Sequence, residues 1–254
     1  MKLHNILFLL LLCVSCLSKN TQRKVVSLPT PYYEIGLTNA PKTARIKNVI
    51  FSTQGAYFGE SLSESSYLAL DSVPEIRNNF NISFWFKIEG RNGEISQTLV
   101  KALNTINPKE ELRIWVAGQR VTGSLNSNRL SSKDFSKESP SSRTYYDLPR
   151  LEVGKFYFLS INKIENHFEI YINAELYEEY TIEKDTQILI NSITFGVLNI
   201  EGPYINQLCG NLIHFEVYEQ PLSKDEIYSV SVKHFNEIEP FNDAFELSKF
   251  NLKD

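Results

Sequence analysis

The sequence predicts an all-β protein in which two antiparallel sheets pack face to face as a sandwich. Short runs alternate apolar and polar residues with the period of two that half-buried strands require, and turn residues separate these runs. One helix is predicted, near the C-terminal end. A parallel α/β fold needs a helix between successive strands and is therefore excluded. The length of 254 residues suits one sandwich domain.

Residues 1–16 have the pattern of an export signal. Lys2 precedes an unbroken apolar run at residues 6–14, which is too short to span a bilayer as a helix. Ser15 and Cys16 follow, and this arrangement resembles a bacterial lipoprotein signal, in which the cysteine is lipidated and becomes the first mature residue. We expect Cys16 to carry lipid.

The alternatives for this segment are an ordinary secretory signal cut near Ser18 and a buried apolar segment. Leu17 is not the Asp that retains lipoproteins in the inner membrane of some Gram-negative cells. We therefore expect a lipid-anchored protein of the cell envelope, in the outer membrane of a Gram-negative bacterium, and secretion is the alternative. The lipid anchor is the expected contact with the membrane.

The rest of the chain divides into three parts. Residues 17–48 begin as a polar, basic tether and continue into a proline-containing N-terminal segment. Residues 49–234 hold the strand patterns and form the predicted domain. Residues 235–254 spread phenylalanines among charges, which predicts an arm packed on the sandwich.

Seven runs within the domain predict strands. Residues 81–88 alternate most regularly, and residues 155–161 are apolar on both faces, as a central strand would be. The helix is predicted by Ser223 and Glu226, which have the spacing of a capping box. The predicted strands are residues 67–70, 81–88, 112–116, 155–161, 167–172, 192–197 and 212–218.

Residues 123–140 are rich in Ser, Asn and Lys and predict a long polar insertion. Arg143, Tyr145 and Tyr146 follow it. A surface loop is one interpretation, and a ligand-facing loop is the other, because loops on a rigid scaffold often carry binding residues.

An ordered series of short motifs resembles the laminin-G-like, concanavalin A-like lectin/glucanase superfamily in its bacterial form, over residues 49–232. It ends in a Tyr-x-x-Pro-Leu-Ser-x-x-Glu-Ile pattern that starts at Tyr218. The resemblance implies a two-sheet antiparallel jelly roll. Because this superfamily includes sugar binders, protein binders, hydrolases and lyases, the fold does not decide the function. The motifs occupy residues 56–59, 67–70, 80–87, 98–101, 154–161, 168–173 and 210–227.

Catalysis is not the expected function. Hydrolases of the superfamily often carry Glu-x-Asp-x-x-Glu along one strand, and the nearest approach here is Glu183 and Asp185, with Ile188 where the second Glu would stand. A lyase would need a base such as His167 or His214. Both lie in strand patterns, where we expect structural histidines.

Calcium is the ion that the resemblance makes possible, and no cofactor is assigned with certainty. Relatives often have acids beside the glycines of the first and last strands, and these positions hold Glu60 and Asn211 here. Glu60 or Asp71 could still supply the hard oxygen ligands that calcium prefers.

A sugar-binding surface is the favoured hypothesis. Sugars stack their apolar faces on aromatic rings, and neighbouring polar groups fix their orientation. Trp85 and Trp115 lie opposite the strongly aliphatic strand faces, with Lys87 beside the first and Arg113 beside the second. They would form one platform if their strands share a sheet. The alternative is that both rings belong to the core.

The sequence thus predicts a surface-anchored lipoprotein whose domain binds an extracellular polysaccharide without catalysis. One alternative is an adhesive module that binds a surface protein, and the other is an atypical polysaccharide hydrolase or lyase. Nucleic acid is excluded as a partner, because the net charge is −4 and the sequence has no dominant basic patch.

Overall fold

A computed structural model describes residues 25–59, 65–89, 96–129, 148–182, 187–200 and 206–234. The described residues form two large antiparallel sheets, which confirms the predicted jelly-roll sandwich. The described part of the chain holds no helix with the length and apolar character that crossing a bilayer requires.

The strands are, in chain order, β1 (Tyr33–Ile35), β2 (Arg45–Lys47), β3 (Val49–Ser52), β4 (Gly55–Phe58), β5 (Tyr67–Leu70), β6 (Ile76–Arg77), β7 (Phe80–Ile88), β8 (Gln97–Leu103), β9 (Glu111–Ala117), β10 (Arg120–Leu125), β11 (Asn128–Arg129), β12 (Phe156–Ile164), β13 (His167–Ile172), β14 (Glu175–Thr181), β15 (Leu189–Ile190), β16 (Ser192–Phe195) and β17 (Gly210–Tyr218). Helix α1 is Lys224–Lys233.

Sheet A has the strand order β14-β13-β12-β7-β17-β4-β3, and β1 also pairs with β17. Sheet B has the order β11-β10-β9-β8-β16-β5-β2. Strands β6 and β15 form a separate two-stranded sheet. Neighbouring strands in the fold are thus often far apart in the sequence, so tertiary register decides which side chains meet.

The main core fills the space between sheets A and B. Ile82, Phe84 and Phe86 of β7 point into it and are fully buried, as the alternation of this strand predicts. Phe195 of sheet B meets Phe215 of sheet A edge to face, with ring centres 5.0 Å apart. Burial of these large rings supplies much of the hydrophobic stabilisation of the sandwich.

A second apolar cluster lies on the outer face of sheet A. Helix α1 covers this face, and Ile227 and Tyr228 of the helix are fully buried against Trp85 and Phe158. The central strands of sheet A are therefore buried on both faces. This explains why β12 carries apolar residues on both of its faces, as its sequence indicated.

Two sets of hydrogen bonds fix where α1 begins. The predicted capping box is present: Ser223 Oγ accepts from the Glu226 backbone N–H, and the Glu226 carboxylate accepts from the Ser223 N–H. The Asn162 amide of β12 both donates to and accepts from the backbone of Leu222, at 2.8 and 2.9 Å. The helix start is thereby tied to the sheet that it covers.

All seven predicted strands are present, but the prediction of a loop over residues 123–140 is wrong at its start. Residues 120–125 are strand β10, and residues 128–129 are β11. Asn126 and Ser127 between them both have positive φ, as a tight hairpin turn requires. Strands β1 and β2 lie within residues 17–48, so part of that segment belongs to the sheets. The predicted arm at residues 235–254 lies outside the described residues.

Candidate functional site

The outer face of sheet A is closed by apolar packing, which places Trp85 out of reach of a ligand. The Trp85 ring is fully buried, with its centre 5.5 Å from that of Phe158, and it shares a cluster with Tyr228 of α1. Lys87 on the same face is also buried and pairs its ammonium with Glu89. The side chains on this face therefore stabilise the fold and do not form a binding surface.

The hypothesis of one platform carrying both tryptophans is wrong. Trp85 lies on β7 in sheet A, whereas Trp115 lies on β9 in sheet B. The two sheets stack with the main core between them, so side chains on their outer faces point in opposite directions. Trp115 and Arg113 remain together on the outer face of sheet B.

Strand β9 alternates between the core and the outer face of sheet B. Leu112, Ile114 and Val116 are buried in the main core, while Arg113 and Trp115 are half-buried on the outer face. The period of two in the sequence thus places these two residues correctly.

Hydroxyl groups flank Trp115 on both neighbouring strands. Thr122 of β10 and Thr98 of β8 lie directly opposite it in the register. The Thr122 hydroxyl is buried and makes no hydrogen bond with the residues that the structure describes. Both threonines are buried, so the partly exposed ring of Trp115 is the group here on which a sugar could stack.

A row of positive charges crosses the same face. Arg113 on β9 lies opposite Lys101 on β8, Lys101 lies opposite Thr194 on β16, and the row continues through Ala69 on β5 to Arg45 on β2. Directly opposed residues project from the same face of a sheet. We call Arg45, Lys101 and Arg113 the basic row.

Two carboxylates are paired with the basic row. Glu111 lies 2.8 Å from Arg113 Nε and 3.3 Å from Lys101 Nζ, so two cations share one acid. Asp71 receives two hydrogen bonds from Arg45, one of them 2.6 Å long, and these bonds hold the pKa of Asp71 below its usual value. Arg45 therefore has a carboxylate to itself, whereas Lys101 and Arg113 share one.

A concavity of about 470 Å³ opens beside the basic row. Its floor is the outer face of β8 and β16, and its wall is the segment that follows β16. The volume is in the range of small-molecule sites. We call it the outer-face groove, and it is lined by Arg45, Lys101, Leu103, Thr194, Leu198, Asn199 and Ile200.

Another concavity of about 400 Å³ is lined mainly by amides. Lys163 is buried at this place and donates to the Glu165 carbonyl at 2.5 Å. The Asn79 side chain accepts from the Glu165 N–H, which braces the turn between β12 and β13. Because these contacts hold the turn itself, we assign this concavity a structural role.

One group of described residues brings three potential metal ligands together: Glu34, Glu216 and His234 lie with ligand atoms within 4.8 Å of one another. However, the Lys233 ammonium lies 2.7 Å from Glu216 and 3.7 Å from Glu34. The ammonium already occupies the position between these two carboxylates, which are direct cross-strand neighbours on β17 and β1. The arrangement fits a buried charge network better than a metal site.

The carboxyl group of Glu216 is the most perturbed acid of this network. Burial alone raises its pKa, but hydrogen bonds from His234, Lys233 and Tyr218 outweigh burial and lower the pKa to about 2. Burial, and then the contact with Glu216, raises the pKa of the Tyr218 phenol. Glu216 is thus an ionised, structural carboxylate at neutral pH.

The histidines considered as lyase bases occupy structural positions. His214 is buried at a bulge in β17 with φ of 50°, and its ring stacks on His234 with centres 3.8 Å apart. His167 contacts the Thr181 hydroxyl at 2.9 Å on the neighbouring strand. Glu183 and Asp185 lie outside the described residues.

Several predicted site residues lie outside the described part of the chain: Cys16, Glu60, Arg143, Tyr145 and Tyr146. Conversely, Arg45, Lys101 and Thr194 were missed by the sequence analysis. They come from three strands that are distant in the sequence, and no local pattern joins them. The alternation within β2 and β16 indicates on which face of the sheet Arg45 and Thr194 lie. The order in which the strands of sheet B pair then brings these residues into one row with Lys101.

Comparison with known proteins agrees with this architecture. A family model described as the concanavalin A-like lectin/glucanases superfamily matches residues 62–228. A search of curated protein sequences gave no match.

Three solved structures illustrate the likeness of fold. The binding domain of botulinum neurotoxin serotype G has a TM-score of 0.57 at 15% identity, over 81% of this chain and 51% of that one. The ligand-binding domain of botulinum neurotoxin serotype D, in complex with N-acetylneuraminic acid, has a TM-score of 0.52 at 18% identity, over 81% and 51%. Trypanosoma rangeli sialidase, in complex with sialic acid, has a TM-score of 0.57 at 11% identity, over 80% and 33%.

The chain therefore spans about half the length of these neurotoxin domains and a third of the sialidase. At such low identities the likeness shows the fold and leaves the function to the site.

Proposed function

We propose that this chain, which belongs to the concanavalin A-like lectin/glucanase superfamily, is a lipid-anchored protein of the cell envelope that binds an extracellular glycan without transforming it. The binding surface in this proposal is the outer face of sheet B around Trp115 and the outer-face groove.

The observation that carries the proposal is the contrast between the two outer faces. The outer face of sheet A is sealed by α1 and by a dense apolar cluster. On the outer face of sheet B, Trp115 is half-buried between two threonines, next to Arg113 and the groove. A partly exposed ring next to a cation and a groove suits the mixed apolar and polar surface of a sugar.

The comparisons support the proposal at a coarser level. Solved structures with this fold include toxin binding domains, one of them with N-acetylneuraminic acid bound, and a sialidase. The acids on the described outer face of sheet B, Glu111 and Asp71, are each held by an arginine. Carboxylates neutralised in this way are poorly placed to act as general acid and base, so binding is favoured over hydrolysis.

The anchor in this proposal is the lipid on Cys16, with the outer membrane of a Gram-negative cell as the destination. The residues that support it are the apolar run at residues 6–14, Ser15 before the cysteine and Leu17 after it. A tether at the start of residues 17–48 would hold the sandwich away from the membrane.

The test is a glycan array probed with the full chain in detergent micelles. We expect binding to a defined set of glycans, and we expect Trp115→Ala to weaken it by up to about tenfold without unfolding the domain, because one stacked aromatic contact is worth about 0.5–1.5 kcal/mol. Lys224→Gln, on the other side of the sandwich, is the control that should bind normally.

Three results would contradict the proposal. An array without binding, combined with capture of one specific surface protein, would establish adhesion instead. Release of products from a polysaccharide would establish an enzyme. Unchanged affinity in Trp115→Ala would move the site away from sheet B.

A further inference from the structure

We infer that the glycan is anionic, and that Lys101 and Arg113 of the basic row bind its carboxylate or sulfate groups at the outer-face groove. This inference rests on the proposed function, because it names the chemical class of the ligand for that surface.

The first support is position. Arg113 and Lys101 are directly opposite each other on adjacent strands, which places their backbones about 5 Å apart. Trp115 is two residues from Arg113 on the same face, whereas the groove begins at Lys101. A sugar stacked on the ring would therefore have its neighbouring unit beside both cations.

The second support is the local charge. On the described outer face of sheet B, Arg45, Lys47, Lys101 and Arg113 face only two carboxylates, Asp71 and Glu111. The chain as a whole carries a net charge of −4. A positive surface on an acidic protein concentrates anions there and directs their approach.

The third support is that the existing ion pairs are exchangeable. Glu111 serves two cations at once, and its distance to Lys101 Nζ is 3.3 Å, longer than a strong charge-assisted hydrogen bond. Lys101 and Arg113 keep partial exposure, at 17% and 32% of their side chains. Because the single Glu111 carboxylate is shared by two cations, a ligand anion can pair with one of them while Glu111 keeps the other.

The groove itself supplies groups for the rest of a sugar unit. Thr194 and Asn199 offer a hydroxyl and an amide, and Leu103 and Ile200 offer apolar surface. A few polar groups on a partly apolar lining are typical of ligand sites. Arg45, already bound twice by Asp71, forms the far wall and not the principal contact.

The experiment measures binding of the full chain in detergent micelles to two matched pairs of polysaccharides. Polygalacturonate is compared with its carboxyl-reduced neutral form, and dextran sulfate is compared with dextran. We expect the acidic member of at least one pair to bind about tenfold tighter or more than its neutral counterpart, and to bind more weakly as salt is raised. The pair that responds distinguishes carboxylate from sulfate.

Variants locate the contact. Lys101→Gln keeps a polar side chain, one atom shorter than lysine, but removes its charge, and we expect a loss of affinity of about tenfold for the acidic polysaccharide. Lys224→Gln makes the same change of charge at the start of α1, where its partner is Glu175, and we expect no loss. Thermal unfolding of each variant verifies that the domain is intact.

Glu111→Gln is a sharper test, because the inference predicts that this variant binds the acidic polysaccharide more tightly. Removal of the shared carboxylate leaves Lys101 and Arg113 to the ligand, so affinity for the acidic polysaccharide should rise several-fold. A merely structural role for Glu111 would lower the affinity or leave it unchanged, and either result would overturn the inference.

Other outcomes also overturn the inference, and they are distinguishable from failure of the proposed function. Equal binding of the acidic and neutral members, still lost in Trp115→Ala, would leave a glycan-binding protein whose ligand is neutral. If polyglutamate bound as tightly as the acidic polysaccharide, the surface would bind any polyanion and would not recognise a sugar. Absence of binding to every glycan on the array would remove the proposed function itself.

Discussion

At the scale of single residues, Trp85 and Trp115 show how identical side chains with identical strand patterns acquire different roles. Both lie opposite an aliphatic strand face, but α1 covers only Trp85. The strand pattern therefore predicted correctly that both rings point away from the main core. It did not predict which outer face the helix would cover.

Trp85→Ala should lower the free energy of unfolding by about 3–5 kcal/mol, because it removes a fully buried ring from a packed cluster and leaves a cavity. Trp115→Ala should cost clearly less, since its ring is only half-buried. Urea unfolding followed by circular dichroism compares the two variants. Equal losses would mean that Trp115 is also a core residue.

The Glu216 network makes a prediction about acid stability. The folded pKa of about 2 lies below the ordinary value of 4.5, so ionised Glu216 stabilises the fold above pH 4.5, and this contribution, about 3 kcal/mol, is lost as the pH falls from 4.5 towards 2. In Glu216→Gln the charge of Lys233 loses its buried partner, so the variant should be less stable at neutral pH.

The measurement is urea unfolding of wild type and Glu216→Gln at a series of pH values. The difference in free energy of unfolding should shrink as the pH falls towards 2, because the wild-type carboxyl becomes protonated and resembles the amide. Glu34→Gln, at the exposed edge of the same network, is the control and should show a smaller difference. A difference that stays constant with pH would contradict the role assigned to Glu216.

At the scale of elements, α1 decides which sheet face is available to a ligand. Its position follows from its capping box and from the double hydrogen bond between Asn162 and Leu222. The sequence predicted the helix from Ser223 and Glu226, but the burial of sheet A beneath it depends on where β12 runs.

Ser223→Ala should lower the free energy of unfolding by about 1 kcal/mol, because the hydroxyl no longer accepts from the Glu226 N–H. Ser223→Asp should retain most of the stability, since Asp is also a good N-cap. Urea unfolding gives both values. If both variants lowered the free energy of unfolding by the same amount, the capping hydrogen bond would not explain the loss of stability.

The hairpin of β10 and β11 shows where element prediction failed. The polar composition of residues 123–140 resembled a loop, but Gly123, Ser124 and Leu125 continue a strand whose outer face is polar. The pair Asn126-Ser127 carried the available signal, since Asn readily adopts the positive φ that a two-residue turn needs.

At the scale of the whole molecule, the sandwich has one sealed outer face and one polar outer face. The sealed face is the outer face of β7, β12 and β17. Helix α1 and Leu28 pack against it. In the proposed protein, an N-terminal lipid would hold the domain to the membrane while sheet B faces the glycan.

Cys16→Ser should abolish incorporation of labelled palmitate and release the protein from the membrane fraction, because lipidation requires the thiol. Cys209→Ser is the matched control: Cys209 is buried just before β17, so this variant should keep its label. Metabolic labelling of cells that express each variant checks this. Label retained in Cys16→Ser would show that the chain is not lipidated at this residue.

The sequence by itself determined the two-sheet architecture, the seven strands, the capped helix and the outward orientation of Trp115 and Arg113. These features depend on local periodicity and capping, which neighbouring residues specify. The tertiary structure alone decided that Trp85 is sealed beneath α1, and that Arg45, Lys101 and Arg113 form one row beside a groove. Pairing between strands distant in the chain creates such a row, and burial of the whole apolar surface selects that pairing.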